Sequence, residues 1–177
     1  MKLHIFNPEN DLALADGRPG FTAPASARQM RSELYWLPEW WADEGDRVWD
    51  GEEPLHLNPG DEIVPWGWSP ALIHQLRKAG ADDSFLPSDE EMHSLRALSN
   101  RRTAIEALKH LRADGVAGEW ICGESEVCST LEQLDICRQR WPHTLLKAPW
   151  SSSGKGLMPD TDPHFHAWAK GIIRQPG

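Results

Sequence analysis

Short segments with strand character alternate along this chain with longer segments that carry helix signals. The first, KLHIF at residues 2–6, alternates in polarity and stops at an Asn-Pro pair, which is typical of a short opening strand. Further strand candidates lie at residues 47–49, 62–64, 119–122, 143–150 and 172–173. Because helices normally connect strands that alternate with them in this way, the pattern predicts an α/β fold.

The helix that is best marked in the sequence starts after Ser69. Ser69 can cap it, Pro70 occupies its first turn, and Gly80 marks its end. The segment between the first strand and residue 24 is rich in polar residues, Gly and Pro, and it predicts a loop. Other helix candidates span residues 24–42, 87–100, 100–115, 125–140 and 162–171. Ser88 can cap the second of these, and Asn100 or Ser99 starts the third.

Charge and cysteine content argue against several functional classes. The chain has 18 basic and 27 acidic side chains, a formal charge of -9, whereas non-specific nucleic-acid binding depends on clustered Lys and Arg. We therefore expect no nucleic-acid partner. Cys122, Cys128 and Cys137 are odd in number and lack CxxC spacing. We therefore expect neither a disulfide framework nor a metal site.

The N-terminal segment has too short an apolar run for a signal peptide, because polar residues interrupt it from Asn7 onward. No run approaches the ~18 apolar residues of a membrane span. The expected location is the cytoplasm, without a membrane partner, and a homodimer is left open.

The segment LLKAPWSSSGKGL at residues 145–157 places a lysine in a strand candidate and follows it with small, flexible residues. Consecutive amides in such a loop can surround an anion, and glycine permits the positive φ that this needs. Lysine adds a compact charge that suits phosphate. The segment is not a Walker P-loop, because Pro149 and Gly156 stand where Gly and Ser or Thr are required. On composition alone, a plain linker is the favoured alternative.

This segment resembles the strand and glycine-rich loop of ATP-grasp enzymes, in which a lysine and a small residue precede a turn that ends in Gly-basic-Gly-aliphatic. Upstream, SNRRTAIEALKHLRADGV at residues 99–116 is similar to the family's helix that begins with a basic residue and ends before a Gly-Val/Ile-Pro turn. Here the proline is missing. The resemblance implies that residues 96–177 form the N-terminal lid subdomain of an ATP-grasp fold, incomplete at its C-terminal end.

The resemblance implies ATP as the cofactor and assigns roles to few side chains. Lys147 would reach ATP near the adenine and the α-phosphate. Arg101 would stand where the family usually has a phosphate-binding lysine, or it could be a solvated residue at a helix start. The loop amides would cover the β- and γ-phosphates, with Lys155 close by. The implied nucleotide-binding loop residues are Ser151, Ser152, Ser153, Gly154, Lys155 and Gly156.

ATP-grasp enzymes clamp the nucleotide against a second lobe that supplies the adenine hinge and the acidic ligands of Mg²⁺. The chain stops at Gly177. We therefore expect those ligands in an absent C-terminal lobe, and we expect this chain alone to be inactive. The resemblance implies an ATP-dependent carboxylate–amine or carboxylate–thiol ligase that activates an acid as an acylphosphate. The alternative is a non-catalytic α/β module that binds a nucleotide or a partner.

In that family a Rossmann-like α/β domain usually precedes the lid, and residues 1–95 occupy this position. The opening residues also look similar to a group of bacterial ATP-grasp-like proteins. Ligands of open α/β sheets often bind after the first strand. This makes Asn7, Glu9, Asn10 and Asp11 candidates for contact with a small-molecule acid substrate. The alternative is a polar turn in which Asn and Asp side chains cap their neighbours.

Overall fold

The computed structural model describes residues 1–115, 123–150 and 156–174. These residues form a mixed α/β protein with one parallel and one antiparallel sheet, so the predicted α/β class is confirmed. The chain divides into two compact units, Met1–Arg96 and Ala97–Gly177. In chain order the elements are β1 Lys2–Ile5, α1 Asn10–Asp16, α2 Ala25–Leu34, β2 Arg47–Val48, β3 Glu62–Pro65, α3 Pro70–Lys78, α4 Asp89–Ser99, α5 Arg101–Ala113, α6 Leu131–Arg140, β4 Leu145–Lys147, β5 Leu157–Pro159 and α7 Phe165–Ile173.

The first unit is built on a parallel sheet with the strand order β2-β1-β3. Leu3 of β1 pairs with Arg47 of β2 on one side and with Ile63 of β3 on the other. Since all three strands run in the same direction, their carboxyl ends meet at one edge of the sheet. Ligands of open α/β sheets characteristically bind at such an edge, where chain connections leave a central strand toward opposite sides.

One face of this sheet carries the core of the first unit. Leu3 and Ile5 of β1 lie on the same face as Ile63 of β3, because side chains alternate along a strand. Leu72 and Leu76 of α3 pack against them, and Leu76 is completely buried. Helix α3, which follows β3 in the chain, therefore covers this face of the sheet.

The predicted helix ends are confirmed at three helices. The Ser69 hydroxyl accepts a hydrogen bond from the Leu72 amide at 3.3 Å and so caps α3. Ser88 does the same for Glu91 at the start of α4, and the Glu91 carboxylate accepts from the Ser88 amide at 2.8 Å, which is a capping box. Asn100 caps α5 by accepting from the Arg102 amide at 2.9 Å.

The loop predicted over residues 7–24 is partly wrong, because α1 lies within it. Ala13 and Leu14 are buried, and Gly17 ends the helix with φ of +73°. A helix of 7 residues is too short to be stable by itself. Burial of its apolar side against the rest of the first unit therefore stabilises α1, and local sequence preference does not reveal such burial.

Two predictions for the second unit are also corrected. Helix α6 begins at Leu131, six residues later than predicted, because Thr130 caps it by accepting from the Gln133 amide at 3.2 Å. Residues 172–173 do not start a strand. They complete α7, in which Phe165 and Ala169 are one turn apart and both buried. The strand predicted at residues 119–122 lies outside the described residues.

The second unit joins an antiparallel hairpin to two helices. Leu146 of β4 pairs with Met158 of β5, and both pack against a buried cluster on α6 and α7. That cluster consists of Leu134, Phe165 and Ala169. The hairpin therefore has one face on the core and one face turned away from it.

Candidate functional sites

The β4–β5 hairpin positions Lys147 at the mouth of the predicted phosphate loop. Lys147 pairs with Leu157, and immediately beyond this pair the Ala148 amide donates to the Gly156 carbonyl at 2.8 Å. Gly156 has φ of +67°, a conformation that favours glycine. The two strands thus close a loop directly next to Lys147. Ser151, Ser152, Ser153, Gly154 and Lys155 of that loop lie outside the described residues.

Helix α5 begins beside the same loop. The Arg101 amide donates to the Pro149 carbonyl at 3.2 Å, so the first residue of α5 contacts the loop two residues beyond Lys147. Arg101 is half-buried, whereas Lys147 is exposed. Arg101 at the start of α5, Lys147 at the end of β4 and Gly156 just before β5 therefore lie in the same part of the second unit.

The face of the hairpin that carries Lys147 is apolar and open. Leu145 and Leu157 flank this side, with 49% and 37% of their surfaces exposed. A lysine on an exposed face is stable without a ligand. The hairpin therefore places a cation next to an exposed apolar surface. A planar base with attached phosphates has the complementary chemistry.

The carboxylate of Asp160 links the two strands at the end of the hairpin opposite the loop. The Thr144 amide and hydroxyl donate to Asp160 Oδ2 at 3.0 and 2.9 Å. The hydrogen bond from the Thr144 amide is the main reason why the pKa of the Asp160 carboxyl lies below its usual value, and the bond from the hydroxyl lowers that pKa further. Because both strands are tied at this end, the position of Lys147 along the hairpin is well defined.

In the first unit, Asn7 joins the carboxyl ends of β1 and β3. Its Nδ2 donates to the Gly67 carbonyl at 2.7 Å, and its Oδ1 accepts from the Gly67 amide at 3.3 Å. The residue is only 1% exposed. Both polar groups of the Asn7 side chain therefore form hydrogen bonds within the protein, and Asn7 has a structural role at this edge of the sheet.

Asn10 reinforces the same connection from the first turn of α1. With its amide nitrogen facing the end of β3, Asn10 donates to the carbonyls of Gly67 at 2.9 Å and Trp68 at 3.1 Å. A Cβ atom on Gly67 would overlap the Asn10 side chain. Residue 67 must therefore be glycine for this close approach. Sequence reasoning did not single out Gly67, although its position in PWGWSP just after a strand is a usable signal.

Glu9 lies beside these residues in a buried ion pair. Arg31 of α2 donates through Nη1 to Glu9 Oε1 at 3.0 Å and also to Gln75 Oε1 of α3 at 3.2 Å. Glu9 Oε2 is buried and has no hydrogen-bond partner among the described residues. Asp11 is exposed on α1. No local pattern marks Arg31 or Gln75, because they reach this edge only through the packing of α2 and α3.

A second polar pair lies on the opposite face of the sheet. His4 Nε2 and Asp46 Oδ2 are 3.2 Å apart, and both side chains are largely buried. The Lys2 amide donates to Asp46 at 2.6 Å and, together with His4, holds the pKa of the Asp46 carboxyl below its usual value. Next to His4 is a cavity of about 260 Å³, lined mainly by apolar residues. Its lining includes Pro38, Trp41, Val64 and Trp66.

Comparison with known proteins gives no relative: no family model matches the chain, and no curated protein or solved structure matches it significantly. Within residues 1–115, 123–150 and 156–174, no group of three or more His, Cys, Asp or Glu side chains could hold a metal ion. The described helices include none that is both long and apolar enough to cross a membrane.

Proposed function

We propose that the second unit binds ATP as an ATP-grasp-type lid and that the first unit is a Rossmann-like domain that binds the acceptor substrate. The activity proposed for the whole protein is ATP-dependent ligation of a small carboxylic acid to an amine or a thiol, in the cytoplasm. The single observation that carries the proposal is the hairpin, which presents Lys147 beside a loop that also contacts the start of α5.

The residues of the second unit suit the parts of a nucleotide. The open apolar face of Leu145 and Leu157 would receive the base, and Lys147 would neutralise phosphate charge. Arg101 would add a second cation near the loop that contains Ser151–Lys155. Bound ATP supplies the phosphoryl group that turns a carboxylate into an acylphosphate. The protein cations stabilise the charge that moves during this transfer. We assign no Mg²⁺ ligand within the described residues.

The carboxyl edge of β1 and β3 is the proposed substrate position. Asn7 and Asn10 build this edge by binding Gly67, and Asp11 adds an exposed carboxylate, whereas Arg31 balances the charge of Glu9. Acidic groups suit the ammonium of an amine substrate better than the carboxylate of an acid. The first unit would therefore recognise the amine that attacks the acylphosphate.

Calorimetric titration with ATP and Mg²⁺ tests the proposal. Lys147→Ala should weaken binding by roughly 10-fold to 100-fold, because a hydrogen bond to a charged group contributes about 1.5–3 kcal/mol. Lys170→Ala is the matched control, since it removes the same charge from an exposed position on α7. Equal affinities of the two variants, or no binding by the unmodified chain, would contradict the proposal.

The alternative is a non-catalytic module that binds a partner, and exposed tryptophans favour it. Trp40, Trp41 and Trp66 are 77%, 51% and 62% exposed, and the rings of Trp41 and Trp66 are 6.4 Å apart. Exposed aromatic clusters commonly mark interaction surfaces. If a second copy of the chain covers this surface, sedimentation equilibrium should show a dimer that Trp66→Ala weakens. A monomer at all concentrations would count against this alternative.

A further inference from the structure

Two cysteines of the second unit lie close together in space. The Sγ atoms of Cys128 and Cys137 are 3.6 Å apart. Cys137 is on α6 and 7% exposed, while Cys128 is half-buried in the segment that leads into this helix. A disulfide bond is about 2.05 Å long. The two sulfur atoms therefore need to approach by only a small movement, which a side-chain rotation and a slight shift of the leading segment can provide.

The surroundings give the two thiols different reactivity. Burial, followed by hydrogen bonds with Cys128 and Glu126, raises the pKa of the Cys137 thiol to about 12. Cys137 therefore stays protonated, and the more accessible Cys128 is the thiol that an oxidant meets first. Cys137 donates to Glu126 Oε2 at 3.4 Å, and Arg140 donates to Glu126 Oε1 at 3.0 Å. Glu126 is thus a carboxylate positioned to accept the Cys137 proton.

We propose that Cys128 and Cys137 form a reversible disulfide when the protein meets a hydroperoxide, and that this pair is a thiol–disulfide site of the second unit. In the first step the Cys128 sulfur attacks one peroxide oxygen, so that an S–O bond forms as the O–O bond breaks. The thiol proton passes to the leaving oxygen, which gives Cys128 sulfenic acid and water (or an alcohol). In the second step Cys137 attacks the Cys128 sulfur as Glu126 takes its proton. The S–O bond breaks, hydroxide leaves, and the proton on Glu126 returns to it to make water.

The bond would join the segment before α6 to the body of that helix. In the reduced protein this segment is held by the Cys–Cys contact, by surface ion pairs of Glu124 and Glu126 with Arg140, and by a hydrogen bond from the Ser129 amide to Gln133. Exposed ion pairs contribute little to stability. The disulfide should therefore restrain residues 123–130 much more than the reduced contacts do. None of these residues belongs to the proposed nucleotide site, so this inference stands independently of the proposed function.

The test uses the full chain with Cys122→Ser, which removes the third thiol. After treatment with hydrogen peroxide, the intact mass should fall by two hydrogen atoms, and a non-reducing peptide map should link Cys128 to Cys137. Dithiothreitol should restore both thiols. The same chain unfolded in urea is the reference, and the native protein should form the bond roughly 10-fold faster because the two sulfurs are held together.

Single variants separate the steps. Cys137→Ser should stop at a Cys128 sulfenic acid that dimedone traps, whereas Cys128→Ser should leave Cys137 unmodified. Glu126→Gln should give the same disulfide, formed several-fold more slowly. Three results would overturn the proposal. Both thiols could still be free for alkylation after oxidation, Cys128 could become a sulfinic acid without forming a disulfide, or disulfides could form only between molecules. Circular dichroism of each variant confirms that a negative result does not come from unfolding.

Discussion

Replacing Asn7 tests whether the edge of the first sheet is held together as the structure indicates. Asn7→Ala removes two hydrogen bonds to Gly67, of 2.7 and 3.3 Å, from a side chain that is almost fully buried. Each such bond contributes about 1 kcal/mol, and the longer one contributes less. The Gly67 carbonyl still accepts from Asn10 at 2.9 Å, so only the Gly67 amide loses its side-chain partner.

These contributions sum to a loss of roughly 1.5 kcal/mol in the free energy of unfolding of the first unit. For a unit of this size, that corresponds to a fall in Tm of about 10 °C. Urea unfolding followed by circular dichroism measures the loss. Hydrogen exchange with mass spectrometry, on peptides that cover residues 1–9 and 60–70, localises it. Thr22→Ala, at an exposed position in the same unit, is the control and should change stability by less than about 0.5 kcal/mol.

Asn7→Asp makes the test sharper because it keeps the shape of the side chain. At neutral pH a carboxylate would face the Gly67 carbonyl, and two acceptors repel each other. Its pKa in the folded protein should therefore be raised, and the destabilisation should shrink at low pH, where the protonated carboxyl donates instead. Unchanged unfolding midpoints and exchange rates in both variants would refute the role assigned to Asn7.

Two further changes probe the neighbouring structure. Gly67→Ala should destabilise the first unit and expose the β1 and β3 amides to exchange, because the new methyl group overlaps Asn10; Gly20→Ala, which meets no atom within 4 Å, should not. Asp46→Asn should lower Tm at neutral pH. Because the folded-state pKa of Asp46 lies below its usual value of 3.8, the carboxylate stabilises the fold above that pH, and this stabilisation disappears as the pH falls below it. Thermal melts from about pH 5 to 2 should therefore fall less steeply for the variant; parallel curves would count against the pairing.

Features that depend on a few neighbouring residues were predictable from the sequence. Ser69, Ser88 and Asn100 cap helices because a side-chain oxygen needs only an amide two or three residues away. The strands β1 and β3 were predicted within one residue of their ends, because β-branched and aromatic residues stop at turn signals there. The position of Lys147 on a strand that runs into a loop follows from the same local reasoning.

Features that depend on burial were not predictable in this way. Helix α2 was predicted, but its exposure was not: Met30 is 47% exposed and no residue of α2 is buried. Instead Arg31 turns inward to Glu9. Strand β5 was overlooked, because three residues show their strand character only when paired with β4.

The sequence by itself determined the α/β class, the helix caps and the composition of the lysine-containing hairpin, because each rests on contacts within a few residues. Only the tertiary structure decided the strand order β2-β1-β3, the joining of Asn7 to Gly67 and the meeting of Cys128 with Cys137. The physical reason is that burial and pairing energies belong to surfaces assembled from distant segments, and no single segment carries them.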